Sequence, residues 1–192
     1  MNANGSGVRQ VTRMMAQNIH PFWAPDGSRI LFNTTSRDPQ AKRYDLATIS
    51  PDGTDMRLIT RSEDVTSYTY GSFSPDGLSI VYRRLQGDVS QVFLMNSDGS
   101  DNRNLSGTST QDYWPSWSPD GKRIVFSRQG NSGFQIFVMN RDGKNLRQLT
   151  DASGEFTNPR WAPNGKKLLC GRRLGGPETI LSINLVLFEA PS

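Results

Sequence analysis

The chain has 192 residues, 34% of them apolar and 21% charged, enough for one domain with a core and too few for a second substantial one. No stretch approaches the roughly 20 apolar residues of a membrane helix, and Cys170, the single cysteine, excludes an internal disulfide or a two-cysteine redox or metal clip. The net charge of +4 comes from basic residues interspersed with Asp38, Glu63, Asp64, Asp88, Asp112 and Glu155, which makes no basic stripe for nucleic acid.

The first twelve residues, Met1 to Thr12, align position for position with Met139 to Thr150. The chain is therefore expected to begin inside a repeat, with Val8 to Thr12 as an outermost strand. One phrase then recurs four times: Trp-Ala-Pro-Asp-Gly from Trp23, Phe-Ser-Pro-Asp-Gly from Phe73, Trp-Ser-Pro-Asp-Gly from Trp117 and Trp-Ala-Pro-Asn-Gly from Trp161. Proline presets φ at the first corner of a tight turn, Asp or Asn tolerates the second, and glycine accepts positive φ where the next strand starts. An apolar triplet follows each phrase: Ile30-Leu31-Phe32, Ile80-Val81-Tyr82, Ile124-Val125-Phe126 and Leu168-Leu169-Cys170. That spacing predicts a hairpin.

A second phrase pairs an apolar run with an Asp-Gly turn and another run, as in Gln135 to Thr150, Gln91 to Ser106 and Leu46 to Thr60. It predicts a second hairpin, so each repeat holds four short strands. Helical solenoids of similar period do not fit, because no ten-residue segment shows a 3.6 periodicity and prolines fall in every unit. The fold class expected is all-β, a propeller of four four-stranded blades, in one domain spanning 1–192 with blades at about 13–60, 61–106, 107–150 and 151–184. Thr179 to Asn184 matches a third strand and nothing after it matches a fourth, so Val8 to Thr12 is expected to close the last blade and leave no bare edge. Three alternatives remain: an arc of a larger ring, a ring completed by a second copy as a homodimer, or Val186 to Phe188 as the last strand.

These phrases resemble the repeats of TolB-like β-propellers, which also build the propeller domains of prolyl-oligopeptidase-like enzymes. The resemblance covers about residues 1 to 184 and implies a propeller; TolB itself has six blades, more than the four counted here. It also implies a protein partner in the cell envelope and a periplasmic location, although no basic start with a continuous apolar run follows Met1 as a signal peptide would require.

In a propeller the loops that lead into the innermost strands share one face. Just ahead of the Trp or Phe of each phrase stand His20, Tyr70, Trp114 and Asn158, and two positions on stand Phe22, Ser72, Ser116 and Arg160. Residues two apart on a strand point the same way, so these eight are expected to line the mouth and upper wall of the channel. Arg84, Arg128 and Arg172 share one register of the second strands and lead into the same face. They are candidates for ligand contacts, and equally for pairing with a carboxylate in a neighbouring loop. The turn aspartates of the opposite face lack the alternating spacing of a calcium loop, so no metal or cofactor is expected.

His20 is the only histidine and no Gly-x-Ser-x-Gly elbow occurs, so a serine-hydrolase triad has no evident members. Oligogalacturonate lyases, which resemble this repeat too, hold a metal through several histidines. The expected function is a non-catalytic scaffold that binds a protein segment or a small anionic ligand at the channel mouth. The alternatives are a lyase or hydrolase acting on a uronate or oligosaccharide in the channel, and a structural piece of a larger ring.

Overall fold

A computed structural model describes residues 4–37, 40, 43–63, 65–107, 111–151, 154–173 and the backbone of 183–189. The described residues contain no α-helix and form four antiparallel sheets. The first holds β1 (Asn18–Trp23), β2 (Ile30–Thr34), β3 (Asp45–Ile49) and β4 (Arg57–Leu58). The second holds β5 (Thr66–Phe73), β6 (Ser79–Gln86), β7 (Val89–Asn96) and β8 (Arg103–Asn104). The third holds β9 (Asp112–Trp117), β10 (Arg123–Gly130), β11 (Gly133–Asn140) and β12 (Arg147–Gln148). The fourth holds β13 (Glu155–Trp161), β14 (Lys167–Arg173) and β15 (Ile183–Glu189). Strand order is sequential within every sheet, as in propeller blades.

The recurring phrase forms the same turn each time. Gly27, Gly77, Gly121 and Gly165 each donate their backbone N–H to the carbonyl three residues back. The side chain at the Asp or Asn position accepts a backbone N–H two residues on, from Ser28, Leu78, Lys122 and Lys166. The Ser74 hydroxyl, then the Leu78 N–H and Arg141, hold the Asp76 carboxyl at about 2. The aspartates of the recurring phrase are thus turn formers, and Asp76 also pairs with Arg141 of the next blade.

Blades stack through two repeated contacts. At the lower face the glycine of the turn between the third and fourth strands of one blade abuts the outer segment of the blade before it: a β-carbon at Gly99 would lie 2.8 Å from the Ile59 carbonyl oxygen, and one at Gly143 would lie 2.9 Å from that of Leu105. Nearer the channel, the aromatic that opens each phrase packs on the preceding blade. Phe73 joins Leu31 and Leu46, and Trp117 joins Val81 and Val92 while its indole N–H donates to the Ser72 carbonyl. Trp23, in the first blade, is 56% exposed where Trp117 is 7% exposed.

Residues 8–12 lie against the first blade. Val11 packs on Phe32, Ala47 and Ile49, its carbonyl oxygen sits 2.7 Å from where a β-carbon of Gly53 would be, and Arg9 donates to the Pro51 and Asp52 carbonyls. This is the position that Ile59 and Leu105 hold on the next two blades. The expected ladder between Val8–Thr12 and the fourth blade is absent among the described residues. Thr179 to Ser182 fall outside those residues, and the third-strand place on β14 is taken by Ile183–Glu189, from Arg173↔Ile183 to Lys167↔Glu189. Val186 to Phe188 therefore belong to that third strand and not to a fourth. The segment that pairs carries Ile183, Leu185, Val186, Leu187 and Phe188, residue types that suit a half-buried strand.

The stacking contacts predict unequal costs for glycine substitution. Gly99→Ala and Gly143→Ala should each lose the roughly 1–2 kcal/mol of a left-handed alanine and a further steric share from the facing carbonyl. Gly27→Ala, with nothing within 4 Å, should lose the first part alone. Urea midpoints of the three variants test this; equal losses would show that the blades do not depend on the close approach.

Candidate functional site

Each inner strand carries a bulge at the same register: between Ile19 and Phe22, Thr69 and Ser72, on β9 opposite Val125 to Ser127, and between Thr157 and Arg160. At the bulge His20, Tyr70, Trp114 and Asn158 have φ of 51°, 55°, 53° and 54°. Left-handed backbone is uncommon for residues with a β-carbon and costs of order 1–3 kcal/mol each, and bulges re-aim side chains next to sites. The bulge leaves a residue outside the ladder, and Pro21, Pro115 and Pro159 follow three of the four with no N–H to orphan. After Tyr70 the position is Gly71, where a β-carbon would lie 2.8 Å from Leu46 Cδ2 and 3.0 Å from Leu31 Cδ2. Close approach to the first blade's core explains why this repeat carries glycine there.

A cavity of about 250 Å³ is lined by His20, Phe22, Tyr70, Ser72, Trp114, Ser116, Asn158 and Arg160, together with Pro21, Gly71 and Pro115. All eight channel candidates thus meet in one space, contributed by four blades. Phe22, Ser72, Ser116 and Arg160 also line a second cavity of about 480 Å³ that opens below, among Trp23, Phe73, Trp117 and Trp161. Arg160 therefore sits at the waist between the two. Among the described residues no carboxylate lines the upper cavity. The Arg160 guanidinium donates to the Pro159 carbonyl, and loss of surrounding water holds its pKa below the usual arginine value.

Asn33, fully buried on β2, organises the mouth. Its amide nitrogen donates to the Tyr68 carbonyl at 2.9 Å, and its Oδ1 accepts the Tyr70 backbone N–H at 3.3 Å. With Oδ1 an acceptor, the contact at 3.2 Å to His20 Nδ1 makes that ring nitrogen the donor. Nε2 is left with a free lone pair. Burial chiefly, and the charge of Arg160, lower the His20 pKa; the bond to Asn33 opposes them. The imidazole is neutral at pH 7.

Aromatic contacts run outward from His20 across the upper face. His20 and Tyr70 ring centroids are 4.3 Å apart, Tyr70 and Trp114 6.0 Å, and Trp114 and Phe134 5.4 Å, with Tyr113 at 5.3 Å from Trp114. Arg84, Arg128 and Arg172 are not among the cavity's walls. Arg128 forms a bidentate pair with Asp112, at 2.7 and 2.9 Å. The carboxylate stands directly across on β9 and not in a neighbouring loop. Arg84 lies 5.2 Å over the Phe93 ring and reaches Gln86, and Arg172 lies 5.4 Å over Phe156. Among the described residues no group of three or more His, Cys, Asp or Glu side chains is placed to hold a metal. Burial pushes the Cys170 thiol up to about 11, so it is no thiolate nucleophile at neutral pH.

Asn33, Tyr113, Phe134 and the role of Arg83 were not evident from the repeat alone. The usable signal is the second-strand register Asn33, Arg83, Ser127, Gly171, which differs in every blade while the triplet before it stays apolar.

Comparison with known proteins agrees with this geometry. The crystal structure of TolB from Acinetobacter baumannii superposes with a TM-score of 0.76 at 19% identity, over 99% of this chain and 48% of that one. An oligogalacturonate lyase from Vibrio parahaemolyticus gives 0.61 at 18% identity, over 79% of this chain and 44% of that one. At these identities the likeness is one of fold. A dipeptidyl-peptidase 5 from Porphyromonas endodontalis is 36% identical over 83 residues, 43% of this chain and 11% of its own length. This chain thus spans about a tenth of that relative and under half of either structure. Residues 34–185 match the TolB beta propeller domain, and with four blades in sequence around an aromatic-lined channel the chain belongs to that family.

Proposed function

We propose that the protein is a non-catalytic binding scaffold that takes a protein segment or an anionic group at the channel mouth. One observation carries this reading. Left-handed backbone at four bulges aims His20, Tyr70, Trp114 and Asn158 at a cavity where, among the described residues, Arg160 is the one charged wall residue and no carboxylate stands beside it. Rigid aromatics supply apolar contact at low entropic cost, and a guanidinium gives directional, charge-assisted bonds to a carboxylate. By resemblance to TolB we place the partner among proteins of the cell envelope. His20 has Asn33 and no carboxylate as its hydrogen-bond partner, which suits an acceptor or a pH-sensitive wall better than a catalytic base.

A second reading rests on the same pair. Neutral His20 Nε2 beside Arg160 would take the proton next to a uronate carboxylate that Arg160 neutralises, while the C–O bond to the glycosidic oxygen on the adjoining carbon breaks, leaving a C=C bond and an alcohol that takes up a proton. New ultraviolet absorbance from an unsaturated product on incubation with uronate oligosaccharides would favour it over the scaffold.

Peptides selected from a displayed library against the full chain provide the direct test. Tyr70→Ala with Trp114→Ala should weaken them about a hundredfold or more, with the strand signal in circular dichroism retained. Asn33→Ala should also weaken them, because it frees both His20 and Tyr70 from their orientation, and it should lower the melting temperature as well. Unchanged affinity in the double variant would move the site elsewhere.

Acidity provides a further check. The His20 pKa lies below its unfolded value near 6.5. The neutral ring is therefore complete at pH 7, and charge appears only as pH falls through the lowered folded value. A second cation then joins Arg160, so peptides held by a carboxylate should bind more tightly at about pH 5 than at pH 7, and His20→Gln should remove that dependence. A wild-type affinity that weakens over this range would contradict the placement of the anion.

A further inference from the structure

Outside the channel, Arg83 on the upper face pairs with no carboxylate among the described residues. Arg83 stands on β6 at the register of Asn33, and its guanidinium carbon lies 4.1 Å from the ring centroid of Tyr113 and 5.9 Å from that of Tyr70. Its Nε donates to Ser90 Oγ at 2.7 Å, and that hydroxyl donates in turn to the Asp112 carbonyl. Arg83 is thereby fixed between the second and third blades, half-buried and stacked on tyrosine.

Three other arginines of this face show what a carboxylate-paired one looks like. Arg128 takes the buried Asp112 carboxylate, Arg37 approaches Asp45 and Arg173 approaches Glu155. Among the described residues no carboxylate pairs with Arg83 or with Arg160. Removing a cation from water without an anion is costly, and stacking on two phenol rings offsets it only in part. The same register elsewhere holds Asn33, Ser127 and Gly171, so stacking of the blades does not require a charge at this place. Burial lowers the Arg83 pKa, in keeping with a site that lacks its counter-ion.

Tyr70 joins this arginine to the channel. One side of its ring meets His20, and Arg83 and Trp114 are its other neighbours. A chain that leaves the cavity over Tyr70 and Trp114 arrives at Arg83. We infer that the partner is an acidic peptide segment, one carboxylate of which meets Arg160 in the channel while a second is held by Arg83 at a subsite walled by Tyr70 and Tyr113. This deepens the reading of the channel mouth as a binding site and rests on it. Among the described residues neither Glu63 nor Asp88 acts on Arg83 or Arg160, so the two cations remain available to a ligand.

The probe is hexaglutamate, titrated into the full chain by calorimetry, with hexalysine as the control. Wild type should bind hexaglutamate and not hexalysine, with an affinity that falls as salt rises. Arg160→Gln and Arg83→Gln should each weaken it about tenfold or more, and Arg83→Gln should also flatten the salt dependence. Arg83→Lys should recover only part of the loss, because it restores charge without the stacked, planar fork. If Arg83→Gln impairs folding, the Arg83 Nε–H resonance of the wild type decides, since it should shift on titration. A silent resonance, or wild-type affinity in Arg83→Gln alongside loss in Arg160→Gln, would overturn the second subsite and leave the channel reading standing. Loss in neither variant would overturn both, and no hexaglutamate binding by wild type would overturn the acidic class.

Discussion

A four-stranded blade has two apolar faces and can bury neither alone, and everything else in this chain follows from how that deficit is met. The repair is made at two heights. Glycines of the turns between third and fourth strands let the outer strand of one blade rest on the turn of the next, as at Gly99 over Ile59 and Gly143 over Leu105. The phrase-opening aromatics close the inner edge, as Trp117 does on Ser72. Because every contact joins a blade to its immediate neighbour, one phrase written four times is enough to specify an arc. The exposure of Trp23, whose counterparts Phe73 and Trp117 are covered, shows the same rule at the blade with no described neighbour before it.

If repetition builds the frame, departures from it make the site. The turns and triplets hardly vary, since each copy solves the same steric problem. The bulge position reads His20, Tyr70, Trp114, Asn158, and the inter-blade register reads Asn33, Arg83, Ser127, Gly171. Backbone geometry at the bulge is shared to within a few degrees, so the chemical differences are not needed to make the turn. They concentrate hydrogen-bonding and aromatic groups around one small cavity, and Asn33 shows how the frame then serves the site. By satisfying Tyr68, Tyr70 and His20 together, it ties two blades and selects the histidine tautomer in one side chain.

Much of this was legible in the sequence because turn chemistry is local. Pro-Asp-Gly fixes its own φ values, and a two-residue offset on a strand fixes a shared face, so the eight channel residues could be grouped from spacing alone. The left-handed bulges could not be read that way, since they arise where Ile19 and Phe22 keep register with a partner strand and the residues between do not. Cross-blade reach was equally hidden: nothing near Arg83 in sequence announces Tyr113, and Asp112 becomes the partner of Arg128 only once β9 and β10 are aligned. In the fourth blade the motif for the third strand began at Thr179, but pairing with β14 follows the apolar run from Ile183. Ladder formation there answers to β propensity over several residues, which a single matched phrase does not measure.

The two faces finally differ in how their charges are satisfied. Aspartates at the lower face are consumed locally: Asp26, Asp52, Asp98 and Asp120 each accept hydrogen bonds from the loop they shape, which holds their carboxyls below the ordinary range. Asp76 is held by its own turn in the same way and also pairs with Arg141 of the next blade. On the upper face the acids that are well placed, Asp45 and Asp112, are buried and already bound. Arg160 and Arg83, on either side of Tyr70, are two basic groups left without a carboxylate among the described residues, in surroundings that are aromatic and partly dry.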